Sequence, residues 1–589
     1  GKAPRPKRTA PPAQQCGDVM RPLFRRVLVG AQIAALAWVL AACGGGEGSS
    51  GPPVLPKEQQ PAQKDVVRFL SQAGFGGAGA DIDRTQRIGF PAWIDEQFSL
   101  PQDRHQGYVD SQIAAATLAG QSTNQQNWIY ESFWRTAVSG NGQLRHRVAF
   151  ALSQIFVVSL ADSSVGENTR GVASYLDMLG RNAFGNFRTL LQDVTLHPMM
   201  GLYLSHLRNQ KEDPSRGRVP DENYAREVMQ LFTIGLYELN LDGTVRLDGR
   251  NEPIETYTNE DVTGLAKVFT GWSWAGPDKS DTRFFGGNAS ADRAVLPMQS
   301  YPKYHSTSEK RFLGTVIPEQ AGADPEASLR VALDRLFSHP NVGPFIGKQL
   351  IQRMVTSNPS PAYVARVASA FNDNGSGVRG DMKAVIRAVL LDPEARSPLP
   401  GATDYGKLRE PVLRIAHWLR AFGAQSASGR FLIGNTDNPN SSLGQTPMRS
   451  PSVFNFYRPG YVPPNTDIAA AGLVAPEMQI THESSVAGYL NTLRSVISSG
   501  IGSGSPRDVQ PDYGEVIGLA DRPDALVDRI GAMLIAGEMS PELRAQAVDA
   551  VGSVAVSTSN AQSAATARLN RVKLAVFLVM ASPDYLVQK

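Results

Sequence analysis

The chain has 589 residues, 42% of them apolar, with 58 Lys or Arg against 55 Asp or Glu. That length and apolar content are enough for a large buried core. Seven basic residues and one acid precede Cys43, and the remainder holds 51 basic and 54 acidic residues with no basic stripe, which removes the electrostatic footprint of nucleic-acid binding.

Residues 1–19 run into Met20 and are read as an upstream or non-native segment. Residues 20–42 pair Arg21, Arg25 and Arg26 with an apolar run over 27–40, the pattern of a secretory signal. The run is shorter than the roughly 20 apolar residues that a membrane span requires. Leu40-Ala41-Ala42-Cys43 resembles the bacterial lipobox, so cleavage before Cys43 and lipidation of its thiol are expected. Gly44 stands where an inner-membrane retention signal would place Asp, which points to an outer-membrane lipoprotein. Cys16 and Cys43 are the only cysteines, so the folded body is expected to have no disulfide and no thiol nucleophile. The Gly-, Ser- and Pro-rich residues 43–63 read as a flexible tether.

From Lys64 helical periodicity dominates, and 64–589 is read as a single large, mainly α domain with long loops and at most a small β-hairpin. Helices are expected over 144–156, 175–194, 223–239 and 259–269, and again over 326–337, 342–355, 362–371, 381–391 and 408–422. Four more close the chain over 486–497, 522–534, 541–556 and 564–580. Thr258 and Asp261 form a capping-box pattern, and Ser540-Pro541 places proline at a first helical position. Residues 244–247 and 254–257 flank a turn and are the hairpin candidate.

Several familiar signatures fail. Gly74, Gly76 and Gly79 match G-x-G-x-x-G but follow a helix rather than a strand, so they read as a turn. Gly343 to Gln349 lacks the phosphate-loop spacing, and no G-x-S-x-G elbow occurs. His482-Glu483 has no second histidine at the zincin spacing. His197 and His339 are read as helix C-caps, and Trp272 and Trp274 as core.

The densest polar cluster is Asn223, Arg226, Glu227 and Gln230, which share one face at helical spacing. Glu227 is the candidate acid–base group or metal ligand, while Asn223 and Arg226 are candidates for holding an anionic substrate group. His305, in a loop with Lys310, is a second candidate for proton transfer, and Lys310 a further candidate for substrate binding. Asp261 is either a cap or a contributor to the site. A solvated helix face and a surface histidine are the competing structural readings.

Phe69-Leu70-Ser71-Gln72-Ala73-Gly74-Phe75-Gly76, Glu222-Asn223-Tyr224-Ala225-Arg226-Glu227 and Tyr257-Thr258-Asn259-Glu260-Asp261 together resemble the bacterial family called domain of unknown function 1800. So do Phe269-Thr270-Gly271-Trp272, His305 with Lys310-Arg311-Phe312-Leu313-Gly314, and Lys407-Leu408-Arg409-Glu410-Pro411. Leu443-Gly444-Gln445, Pro451 to Phe454 and Ser582-Pro583-Asp584-Tyr585 complete the likeness over 64–589. The resemblance implies an exported protein and a sulfatase-like exported partner, but no reaction. Related sequences often read His-Asp where this chain has His305-Ser306, so a metal site needing that acid is in doubt.

The expectation is an envelope enzyme acting on a polar extracytoplasmic substrate such as a glycan, with a divalent metal as the candidate cofactor. The alternative is a non-catalytic binding or assembly lipoprotein.

Overall fold

A computed structural model describes residues 52–589 except 399–401, 403 and 537–538. The upstream segment, the signal and Cys43 lie outside the described residues. Val54–Lys589 is one compact unit. The described end of the expected tether is bonded to this body: Leu55 N donates to Arg87 O at 2.7 Å, and Gln86 Nε2 to Pro61 O at 3.0 Å.

Gln63–Ala73 (α1) opens the helical array and is followed by Gly79–Ser99 (α2). The glycine run joins these two helices as a turn. Gly76 has φ +93°, and a Cβ there would stand 2.2 Å from the His417 ring. Gln143–Ser153 (α3) is buried on every side, as its apolar spacing predicts. Helices expected over 259–269, 326–337, 342–355, 362–371 and 381–391 form within a residue or two of those bounds.

Two expected helices depart most from their predicted bounds. The 175–194 stretch is split into Thr169–Asn182 and Phe187–Leu196, because Asn186 caps the second by accepting from Arg188 N. The 223–239 stretch ends at Gln230 (α4, Asn223–Gln230). Ile234 N and Gly235 N both donate to Met229 O at 3.0 Å, and Gly235 adopts φ +72°. The chain thus leaves the helix in a tight turn over 231–235 that Gly235 closes, and the apolar periodicity of Leu231, Phe232 and Ile234 disguises it.

After Gly235 the chain forms a folded arm over 236–256. Tyr237 pairs with Glu255, Leu239 with Val245 and Leu247 with Pro253, all antiparallel. The turn expected between 247 and 254 is present, and the 236–239 stretch is added to it. Asn259–Val268 (α5) starts with the expected capping box. Val342–Met354 (α6) and Pro411–Ala421 (α7) follow, the latter starting three residues later than expected. Lys407 and Leu408 instead pair with Gln588 and Val587 near the end of the chain.

The mainly α class holds. Strands among the described residues are four short antiparallel pairs: Trp272–Ser273 (β1) with Gln299–Ser300 (β2), Lys310–Phe312 (β3) with Thr315–Ile317 (β4), Lys407–Leu408 (β5) with Val587–Gln588 (β8), and Gln425–Ser426 (β6) with Val509–Gln510 (β7). Trp272 and Trp274 are core residues. No helix among the described residues is long and apolar enough to cross a membrane.

Candidate functional site

The polar face of α4 divides. Asn223 donates to Ser205 Oγ at 3.4 Å, and Arg226 stands 3.6 Å from Glu222 one turn back, both on the surface. Glu227 is buried, and its Oε2 has no hydrogen-bond partner. Burial raises its pKa, against the opposing charge of Arg226. Gln230 accepts from Tyr257 OH at 3.1 Å and reaches the edge of a cleft.

The other candidates belong to a structural knot between α5 and the β3–β4 hairpin. Asp261 Oδ2 accepts from Thr258 N at 2.7 Å, and Oδ1 from Leu313 N at 2.6 Å. It therefore caps α5 and clamps the hairpin turn. Gly264 admits the same approach: a Cβ there would lie 1.7 Å from Arg311 O. Lys310 is fully buried, donates to Gln320 Oε1 at 3.0 Å, and is lowered to about 8 by burial.

His305 is not a surface histidine. Its Nδ1–H donates to Thr270 O at 2.8 Å, and Nε2 accepts from the Ser328 hydroxyl at 3.2 Å. Burial lowers it to about 4, so it is a neutral, fully bonded ring with no solvent access. Ser306 and Ser308 both donate to Glu212 Oε1. His197 and His339 occupy the C-cap positions of Phe187–Leu196 and Pro325–Ser338, as expected. Each ring also accepts from the backbone N–H two residues onward, at 3.2 and 3.1 Å, and burial keeps both rings neutral, so neither meets the helix dipole as a cation.

Asp261→Ala is expected to cost about 2–3 kcal/mol, from a lost helix cap and a stranded Leu313 N–H. Urea unfolding reads this cost, and ligand binding in the cleft between the arm and α6 is expected to be unchanged.

None of Asn223, Arg226, Glu227, Asp261, His305 and Lys310 lines the cleft between the arm and α6, which has a volume of about 460 Å³. One wall is the arm, through Leu236, Tyr237, Leu239 and Val245; the facing wall is α6, and 453–460 closes one end. Asn341, 2% exposed, holds arm and helix together. Its Nδ2 donates to Ile234 O and Tyr237 O, both at 2.8 Å, and its Oδ1 accepts from Leu239 N at 2.9 Å. Phe345 packs where Gly235 has no side chain. Gln352 ties α6 to the closing segment by donating to Pro459 O at 3.2 Å.

The charges of the lining are all positive: Lys348, Arg353 and Arg458. No Asp, Glu, His, Ser, Thr or Cys lines it. Arg458 lies over Phe454, 4.2 Å from the ring centre. Lys348 keeps contact with solvent, yet desolvation by the cleft walls lowers its pKa.

Behind the floor is a buried polar network that the sequence reading missed. Glu410, fully buried, accepts through Oε2 from Gln154 Nε2 at 2.6 Å, Gln445 Nε2 at 2.6 Å and Tyr457 OH at 2.9 Å. Arg353 donates to Gln154, while the Arg353 carbonyl accepts from Arg147 at 2.6 Å and Lys407 at 2.7 Å. Lys407 pairs with buried Glu477 at 2.9 Å. The available signal was Glu410 directly before Pro411, an acid at the start of an apolar helix. Among the described residues no group of three or more His, Cys, Asp or Glu side chains is placed to hold a metal ion.

Fold and site together define a mainly α protein with a cationic, carboxylate-free cleft. The chain belongs to the family described as Protein of unknown function (DUF1800), whose model matches residues 68–587. No curated protein and no solved structure matches it.

Proposed function

We propose that the protein is an exported lipoprotein, anchored to the outer membrane through Cys43, that binds a polar extracytoplasmic ligand such as a glycan in the cleft and releases it unchanged. The observation that carries this reading is the cleft lining. Amides from Gln154, Gln230, Gln349 and Gln352 stand beside Tyr237 and Phe345, with no carboxylate, imidazole, hydroxyl of Ser or Thr, or thiol among the lining side chains. Apolar walls with a few placed amides suit recognition of a sugar ring. Glycosidic cleavage ordinarily uses a pair of carboxyl groups. Of the two alternative proton-transfer candidates, Glu227 and His305, the latter has both ring nitrogens bonded within the fold, and neither lines the cleft.

Calorimetric titration of the full chain in detergent with a panel of neutral and acidic oligosaccharides tests this. Saturable binding is expected, weakened about 10-fold by Phe345→Ala and unaffected by Glu227→Gln, with the ligand recovered intact. Turnover abolished by Glu227→Gln would restore the enzyme reading. Leu241 and Leu247 are exposed apolar residues of the arm outside the cleft, and they favour a second reading, assembly with an exported sulfatase-like partner.

A further inference from the structure

Two nitrogen donors at the cleft floor have no acceptor. Arg353, 4% exposed, donates through Nη1 to Gln154 Oε1 at 3.3 Å and through Nη2 to Gln154 O at 3.0 Å, but its Nε donates to nothing. One turn earlier on α6, Gln349 is 7% exposed and its Nε2 is also without a partner. Both side chains line the cavity. Buried donors are almost always satisfied, so two orphans one turn apart on a cavity wall call for an acceptor from outside the chain.

The charge balance points the same way. The network directly behind the floor holds Arg147, Arg353 and Lys407 against Glu410 and Glu477. Counting the Lys407–Glu477 pair as charged or as neutral leaves one excess positive charge in either case. Lys348 and Arg458 add further positive charge in the cleft, and no acid of the lining opposes them.

We infer that the floor of the cleft, at Gln349 and Arg353, is a seat for an oxyanion, and that the ligand is an acidic saccharide bearing carboxylate or sulfate groups. This rests on the cleft being the ligand site. The unpartnered atoms of the seat, Gln349 Nε2 and Arg353 Nε, are both N–H donors, which match the acceptor-only oxygens of such a group.

The test uses the full chain and five probes: potassium sulfate, sodium acetate, a sulfated galactan oligosaccharide, an oligogalacturonide and an uncharged galactan oligosaccharide. Sulfate or acetate is expected to bind saturably at constant ionic strength, and one acidic oligosaccharide to bind about 10-fold tighter than the uncharged one. The tighter acidic probe identifies the anionic group. Gln349→Leu is expected to erase that preference by weakening the acidic probe about 10-fold more than it weakens the uncharged one. Its unliganded thermal midpoint should equal or exceed that of the parent, because it removes an unsatisfied amide. Equal binding of acidic and uncharged probes overturns the seat and leaves the cleft as a glycan site. Saturable, Gln349-dependent binding of the small anions without any oligosaccharide keeps the seat and overturns the glycan reading. No binding of any probe overturns both.

Discussion

Glu410→Ala is expected to destabilise the protein by about 3–5 kcal/mol, a large share of a typical domain's stability. Glu410 is a counter-charge inside a network that also buries Arg147 and Arg353. Its Oε2 gathers three donors from three separate parts of the chain. Truncation leaves Gln154, Gln445 and Tyr457 without the acceptor they share and Arg147 without the acid that most favours its charge. Removing one partner of a buried charge group costs more than the group contributes when intact. Glu410→Gln preserves shape and an acceptor oxygen, so it should lose less. Urea unfolding of both variants reads the difference, and a cost below about 1 kcal/mol for Glu410→Ala would show the network to be dispensable.

Lowering the pH from 7 to 5 is expected to cost more stability than any single substitution. Burial pushes His105 and His197 down to about 3, and His206, His305 and His339 to about 4. Buried His417 lies well below the usual histidine range of about 6.5. Below about 6.5 the unfolded chain takes up these protons and the fold does not. Each histidine therefore contributes fully above that pH and loses about 1.4 kcal/mol per unit as pH falls toward its folded value. At pH 5 the loss is about 2 kcal/mol for each ring, and several rings together approach the ~5–15 kcal/mol of a whole domain. Glu131, Asp177, Glu227 and Glu477 are raised by burial, take up protons in the fold, and offset part of this loss. The thermal midpoint should fall steeply between pH 6.5 and 5. A flat profile over that window would mean that these rings are protonated or solvated in the fold.

What could be read from the sequence was local. The Thr258–Asp261 box, the glycine turn after α1 and the hairpin turn near 250 each depend on residues a few positions apart, and each formed. The candidate site was legible only as far as α4. Periodicity carried that helix past Gln230 because Gly235, in the left-handed conformation, interrupts an apolar pattern that otherwise continues. His305 looked like a loop residue because its partners Thr270 and Ser328 lie 35 positions before it and 23 after it. The cleft was hidden for the same reason. Asn341 joins α6 to an arm more than 100 residues earlier, and Glu410 meets Gln154 across 256 residues. No local spacing encodes such contacts. In the motifs 257–261 and 305–314, Asp261 holds α5 against the β3–β4 hairpin, Gly264 admits the close approach, and Lys310 ties the hairpin to Gln320.

Hydrogen–deuterium exchange on the full chain, with and without a bound acidic oligosaccharide, separates the cleft from the residues singled out by their helical spacing. Slowed exchange over 236–245, 345–353 and 453–460, with 301–314 unaltered, is predicted. Slowed exchange over 223–227 and 301–314 with those cleft segments unaltered would place the ligand elsewhere and refute the cleft as its site.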